Sequence, residues 1–359
     1  MENVQVGVTG RRYEIRIGNG LFGMLPGLLA QRYAGRKLAV VCDDTVQALY
    51  GNELTDALVL EGLDAFIVPF PAGEDHKTLQ TLTGLYGVLA ERRFTRSDVV
   101  VALGGGVTGD MAGLAAATFL RGTEFVQVPT TLLAMVDSSI GGKVAVDLPQ
   151  GKNLVGAFYQ PHAVYTDPAL LDSLPDRQFA NGMAELVKHG FLFDAALVDR
   201  ITALGSRAAL RPQLETLIAE SCDWKRKVVE QDERDEGPRQ LLNFGHTLGH
   251  AIEKVTGFTE IAHGEAISIG MCVFSRMAQA RGWSEAGTAE RVAAALAAIG
   301  LPTELPALDA GRLFDAMTLD KKARSGAITI VTLDRIGVSR LRTLTIPELK
   351  EALDGHLHG

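Results

Sequence analysis

The sequence predicts an α/β N-terminal nucleotide-binding domain with a mostly parallel sheet over residues 1–175, followed by an all-α C-terminal domain over 176–359. Three observations carry that prediction. Continuous apolar runs alternate with helical stretches through the first third of the chain, as buried parallel strands and their crossover helices do. One of those runs opens into the glycine-rich loop LGGGVTGD. Beyond residue 182 the chain turns to long Ala/Leu segments of helical spacing, one of which carries a histidine pair.

The elements follow in order. Residues 4–17 read as extended, with Arg12, Glu14 and Arg16 alternating against Tyr13, Ile15 and Ile17. LAVVCDD (38–44) has the continuous apolar character of a buried parallel strand and ends in acids. A helical stretch to Glu61 leads to a second such strand, AFIVPF (65–70). HKTLQTLTGLYGVLAERR (76–93) has helical spacing and a basic last turn. DVVVALGGG (98–106) is a third strand, GDMAGLAAATFLRG (109–122) a helix rich in small residues, and EFVQVPTT (124–131) a fourth strand. PALLDSLPDRQFANG (168–182), rich in Pro, Asp and Gly, is expected to be a linker. Helical segments are expected at 194–231, 245–256, 264–281 and 285–299, with a short extended piece at 327–333.

Composition narrows the function classes. The 359 residues are 47% hydrophobic and 22% charged, which suits a globular protein and not a disordered, collagenous or coiled-coil chain. A formal net charge of -8, with no dense Lys/Arg run, argues against a nucleic-acid partner. No apolar run approaches the ~20 residues that span a bilayer, so no membrane partner is expected. Glu2 and the lack of an apolar h-region make a secretory signal unexpected. Cys42, Cys222 and Cys272 are far apart and form no CxxC, which points to a reduced, cytoplasmic protein.

Gly104, Gly106 and Gly109 fit GxGxxG spacing, with Gly105, Val107 and Asp110 filling the loop between a strand and a helix. Backbone N–H groups at such a helix start can meet a pyrophosphate because no Cβ intervenes. Two features depart from the usual dinucleotide fingerprint. The loop follows the third apolar strand, and the acid about 20 residues on, Glu124, begins a strand instead of ending one. An acid does end the first apolar strand, at Asp43 or Asp44, where it can bond a ribose hydroxyl. Asp110 also suits the positive end of a helix dipole.

Of eight histidines, His246, His250 and His263 fall close together. His246 and His250 are i and i+4, on one face of a helix. Thr247 stands where an HExxH protease has its glutamate, so that chemistry is excluded. Glu185, in the apolar AELVKHG segment, can add an oxygen ligand. Two histidines and a carboxylate would leave positions on zinc open to a substrate, and spacing alone does not say which two histidines bind.

The chain decorates itself with arginine, yet Lys77, Lys143, Lys152, Lys188, Lys225, Lys321 and Lys322 sit in motif-like contexts, joined by Arg121 and Arg239. As a set they suggest a small anionic substrate. Thr130, Thr131 and Asp137-Ser138-Ser139 add hydroxyl and carboxylate groups at element ends.

The segments PAGEDHKTL, LGGGVTGDMAGLAAATFLRG, VPTTLLAMVDSSIGGKVAVDLPQGKNLVGAFYQP, MAELVKHG, KVVEQDERDEG, LNFGHTLGHAIE, HGEAISIGM and LDKK run in order from residue 71 to 322. As an ordered set they resemble the 3-dehydroquinate synthase family of the sugar-phosphate cyclases. The resemblance implies a lyase of the shikimate pathway, on the way to chorismate and the aromatic amino acids. Its substrate would be 3-deoxy-D-arabino-heptulosonate 7-phosphate. C5 is oxidised with NAD, phosphate is eliminated, C5 is reduced again, and the ring opens and recloses by an aldol step. NAD and Zn2+ or Co2+ are the implied cofactors, and a homodimer is the implied assembly.

By position, the resemblance implies Glu185, His246 and His263 as metal ligands and His250 as a proton-transfer histidine. It implies substrate contacts from Lys143, Lys152, Asn153, Lys188, Lys225, Arg239, Asn243 and Lys322, the last beside Lys321. Asp137 matches a site between NAD and substrate, and Arg121 a residue that reaches the neighbouring subunit's site. For NAD it implies Asp43, Glu74, Lys77, the Gly104–Asp110 loop, Thr130, Thr131, Lys143 and Lys152. Asp147 departs from the pattern, standing where many relatives have Asn. The alternatives are a cyclase acting on sedoheptulose 7-phosphate or glucose 6-phosphate, or a metal-dependent polyol dehydrogenase with net NAD turnover. The DSSIGGK and GKNLVGAFYQP segments and the lysines disfavour both.

Overall fold

The computed structural model describes residues 1–257, 260–322 and 326–357, without the side chains of 319–322. The chain divides into two compact units, Met1–Pro175 with Ile218–Arg234, and Asp176–Leu217 with Asp235–Gly359. Residues 218–234, which a single boundary at 175/176 assigns to the second domain, group with the first unit.

The first unit opens with an antiparallel hairpin, β1 (Glu2–Val8) and β2 (Arg11–Ile17). There follow α1 (Leu21–Tyr33), β3 (Lys37–Asp43), the short α2 (Asp44–Val46), α3 (Asn52–Leu60), β4 (Asp64–Phe70), α4 (Leu79–Glu91), β5 (Val99–Gly104), α5 (Gly106–Thr118) and β6 (Glu124–Pro129). A second hairpin, β7 (Lys143–Leu148) and β8 (Gly151–Phe158), precedes β9 (Ala163–Thr166). Among the described residues the main sheet has seven strands in the order β1-β2-β9-β6-β5-β3-β4, parallel except for β1–β2.

Alternation along the strands explains their continuous apolar runs. Leu38, Val40, Cys42, Val99, Val101 and Leu103 pack with Leu21, Leu25, Leu54 and Leu58 of α1 and α3. Ala39, Val41, Val100 and Ala102 face the other way, onto Leu82, Leu85, Met111 and Ala115 of α4 and α5. Both faces are covered, so neither parity needs polar residues. The sheet order also resolves the unusual place of the glycine loop. β4 lies on one side of β3 and β5 on the other, so the strand order reverses between β3 and β5. Asp43 ends one of those strands and Gly104 the other, at the kind of switch point where open α/β sheets bind ligands.

The second unit is helical. It contains α6 (Asp176–Phe193), α7 (Ala195–Leu204), α8 (Arg207–Leu210) and the first residues of α9 (Leu214–Gln231). It continues with α10 (His246–Val255), α11 (His263–Ala280), α12 (Thr288–Ala298) and α13 (Ala310–Lys322). One antiparallel ribbon, β10 (Ala327–Arg335) with β11 (Val338–Thr345), precedes α14 (Ile346–Leu353). The ribbon extends the single short piece expected at 327–333 and adds strand to a domain expected to be all helix.

Two further expectations are corrected. Residues 168–182 are not an open linker. Pro168–Ser173 form a 3-10 turn capped by Asp167, and α6 begins at Asp176. Segment 194–231 is not one helix. It breaks at Gly205, which takes a left-handed conformation, and again around Pro212. Among the described residues no helix is long and apolar enough to cross a membrane.

Candidate active site

In the helical unit, Glu185 lies on α6 and is fully buried, while His246 and His263 are the first residues of α10 and α11. Close packing of these helices brings the three together. Gly245, at φ +79, precedes His246, and a Cβ there would lie 2.5 Å from the Ile267 carbonyl. A Cβ on Gly270 would meet the Gly245 carbonyl at 2.1 Å, so α10 and α11 touch backbone to backbone. Gly264 approaches Asn181 in the same way, and its N–H donates to Asn181 Oδ1. Asn181 is one turn before Glu185, so this contact sets His263 beside the carboxylate.

The Nε2 atoms of His246 and His263 each lie 3.3 Å from Glu185 Oε1. His246 Nδ1 is 3.1 Å from the Phe244 carbonyl, and His263 Nδ1 is 3.3 Å from Glu253 Oε2. With each Nδ1 engaged by an outer partner, both Nε2 atoms face the buried carboxylate, where a proton on Nε2 bonds Glu185 Oε1 and a cation would take that proton's place. Lys188, itself buried, pairs with Glu185 Oε2. Burial opposes ionisation of Glu185, yet Lys188 and the bonds from His246 and His263 outweigh it and hold the group well below the ordinary carboxylate range. Burial and the Lys188 charge lower His246. Burial would lower His263 too, but Glu185 and Glu253 overcome it and raise the imidazole to about 9. The ring of His250, exposed, lies 5.3 Å from that of His246 and 5.9 Å from that of His263.

Two imidazole nitrogens and a carboxylate oxygen within 4.8 Å of one another form a convergent donor set. With its acceptors facing inward, such a set fits a divalent cation, and the Nδ1 anchors are the outer bonds that fix imidazole ligands. Sequence reasoning missed Glu253 and Asn181. Glu253 was legible in part, being i+7 from His246 and i+3 from His250 on the same helix. Buried Arg239 and exposed Asn243 lie on the 3-10 turn Pro238–Asn243 leading into His246. Lys322 and its neighbour Lys321 fall outside the residues whose side chains are described.

In the α/β unit, Gly104 to Gly106 join β5 to α5 with no room for a side chain at Gly104 and little at the other two. A Cβ on Gly104 would lie 2.4 Å from Thr108 Oγ1. The Gly104 carbonyl accepts from Thr130 N–H at 2.9 Å, and Thr131 Oγ1 accepts from Ala134 N–H at 3.2 Å. Asp43 and Asp44 separate here. Asp43 caps α2 and accepts from Thr108 Oγ1 at 3.4 Å, beside the loop, whereas Asp44 accepts from Ala72 N–H. Asp110 lies past the first turn of α5, so the helix dipole does not account for it. It pairs with buried Lys77 at 2.6 Å, and burial, opposed by Lys77, raises it to about 6. Lys77 also donates to Asn153 Oδ1 at 2.6 Å, and Glu74 Oε1 is 3.8 Å from Lys152 Nζ. Lys225, on the part of α9 in this unit, binds the carboxylate and carbonyl of Asp137. Lys143 begins β7, and Arg121 ends an exposed turn in left-handed conformation at φ +67.

Comparison with known proteins places these residues in a family frame. Residues 67–181 match the 3-dehydroquinate synthase N-terminal family and 182–323 the 3-dehydroquinate synthase C-terminal family. The 3-dehydroquinate synthase of Geobacter metallireducens is 45% identical over 352 residues, covering 96% of this chain and 97% of that one. Among solved structures, 2-deoxy-scyllo-inosose synthase complexed with carbaglucose-6-phosphate, NAD+ and Co2+ superposes with a TM-score of 0.88. It is 28% identical and the match covers 98% of this chain and 99% of that one. The 2-epi-5-epi-valiolone synthase ValA of Streptomyces hygroscopicus, with NAD+ and Zn2+ bound, gives 0.87 at 27% identity over 98% of each chain.

Proposed function

This chain belongs to the 3-dehydroquinate synthase family, and from that premise we infer that it converts 3-deoxy-D-arabino-heptulosonate 7-phosphate to 3-dehydroquinate and phosphate using NAD and a divalent metal. The activity is a lyase activity. The observation that carries the metal is the convergence of His246 Nε2 and His263 Nε2 on buried Glu185. Glu185, His246 and His263 would hold it, and a two-histidine, one-carboxylate set suits zinc, with cobalt as a substitute. The loop Gly104–Asp110 with Asp43, Glu74, Lys77, Thr130 and Thr131 would hold NAD.

The metal supplies Lewis-acid polarisation of a substrate oxygen, and the nucleotide a hydride acceptor that is regenerated within the turnover. The chain's own residues do the rest. Lys188 balances the Glu185 charge where both side chains are buried. Lys143, Lys152, Asn153, Arg239, Asn243 and Lys322 bind and orient the phosphate and carboxylate, turning a flexible sugar into one held for reaction. Asp137 holds the Lys225 ammonium on α9, which fixes that charge in direction as well as position. His250, exposed beside two histidines whose Nδ1 atoms are already engaged, carries the proton transfers, since imidazole exchanges protons near neutral pH.

The chain would act as a cytoplasmic homodimer with Arg121 reaching its neighbour's site. The exposed left-handed turn that presents Arg121 and the three buried free cysteines are consistent with those two features. Phosphate release is the deciding assay, with NAD and zinc or cobalt and each sugar phosphate supplied separately. Release from the heptulosonate alone, with no net NADH, is expected. Release from sedoheptulose 7-phosphate or glucose 6-phosphate instead would move the chain to another cyclase reaction, and steady NADH without phosphate would overturn the lyase.

A further inference from the structure

The turn between β7 and β8 is closed by a ring of three hydrogen bonds. Lys77 Nζ donates to Asn153 Oδ1 at 2.6 Å. The Asn153 backbone N–H donates to Asp147 Oδ1 at 2.7 Å. The Asp147 backbone N–H donates to the Lys77 carbonyl at 2.8 Å. Asn153 is thus gripped at both its side chain and its backbone. Asn153 sits at φ +55, a left-handed conformation that asparagine tolerates better than other non-glycine residues, and the two bonds select it. The hairpin register shifts between Val146 and Leu148, so Asp147 leaves the β7–β8 ladder and bridges to Thr78 instead. That irregularity turns its carboxylate across the turn, as bulges do when they re-aim a side chain.

We infer that Asp147 is a positioning residue: it holds Asn153, and with it the adjoining Lys152, in the conformation that meets the substrate. The inference rests on the proposed role of Lys152 and Asn153 as substrate contacts. It also gives the departure at position 147 a physical content. Asp and Asn share the Oδ1 acceptor that the turn requires, so either satisfies it, whereas a residue without that acceptor does not.

The test compares D147A, D147N, N153A and the double variant D147A/N153A, with phosphate release from the heptulosonate phosphate and NAD affinity measured for each. D147A should lower kcat/KM for the sugar phosphate roughly tenfold, the scale of one lost positioning hydrogen bond. D147N should recover to within about twofold because it keeps the acceptor. NAD affinity should fall less than kcat/KM, because Lys77 keeps its Asp110 partner, and the losses of D147A and N153A should combine to less than their product, because both act through the same turn. D147S, polar but one bond too short to reach, carries the same prediction if D147A fails to fold. Normal turnover in D147A, alongside a damaged N153A, would overturn the inference and leave the substrate reading intact. Normal turnover in N153A would instead overturn the reading of Asn153 as a substrate contact. Equal loss of NAD affinity and turnover in D147A, or losses that multiply in the double variant, would reduce Asp147 to a general structural role.

Discussion

The helical cluster and the glycine loop solve opposite problems. Around Glu185, charges lie fully buried and must compensate one another, because an unpaired charge there would be costly. At the Gly104–Gly106 turn the chain offers backbone amides and hydroxyls, whose partial charges need no counter-ion, with the Lys77–Asp110 ion pair a turn further along α5. The first arrangement depends on side chains brought together from three helices. The second depends on a single strand-to-helix turn. Substitution should therefore be least tolerated in the helical unit and graded in the α/β unit.

The largest effect should come from Glu185→Ala, which removes an oxygen ligand and strands Lys188. Metal content should fall below stoichiometry and phosphate release should drop at least about a thousandfold. A full complement of metal by elemental analysis would remove Glu185 from the ligand set. His250→Ala should keep both fold and metal while lowering turnover by about 10²–10⁴. Unchanged turnover would end its role in proton transfer. Glu253→Ala tests the outer bond to His263 Nδ1, and metal affinity should weaken by roughly 10–100-fold with the protein still folded. Metal titration followed by dialysis reads this directly, and unchanged affinity would make Glu253 a bystander.

The smallest effect belongs to the α/β unit. Asp110 sits at about 6 against an ordinary 3.8, raised by burial and only partly offset by Lys77. Between those two values the folded chain keeps a proton that the unfolded chain has released. That contribution to stability therefore declines as pH rises through the window, by at most about 1.4 kcal/mol for each pH unit. Lys77, raised in turn by Asp110 against the burial that would lower it, contributes evenly there because it titrates far above. Asp110→Asn should flatten the decline, as read by urea midpoints at pH 4.5 and 6.5. Equal slopes in variant and parent would show that Asp110 does not titrate in that window.

Much of the fold was legible because it is written locally. Apolar runs at β3, β4, β5 and β6 announce strands, and LGGGVTGD announces a turn that side chains would block. The histidine pair follows from helical period alone. Less legible were β8 and β11, whose largely half-exposed residues carry little hydrophobic signal, and β7, whose buried apolar run is only Val144–Val146. The turn at 168–173 was hidden by its Pro and Asp, which serve a capped 3-10 turn as readily as a linker.

What the sequence determined by itself was therefore the succession of elements, the glycine loop and the residue types available for chemistry. Spacing left open which histidines join Glu185, and a family resemblance alone implied His246 and His263; the tertiary structure brings those two onto it, and it alone decided that Glu253 fixes one of them and that Asp43, not Asp44, borders the loop. The reason is physical. Propensity and periodicity act over a few residues, whereas partners 61 and 78 positions apart meet only through helix packing, here permitted by glycines that let backbones touch.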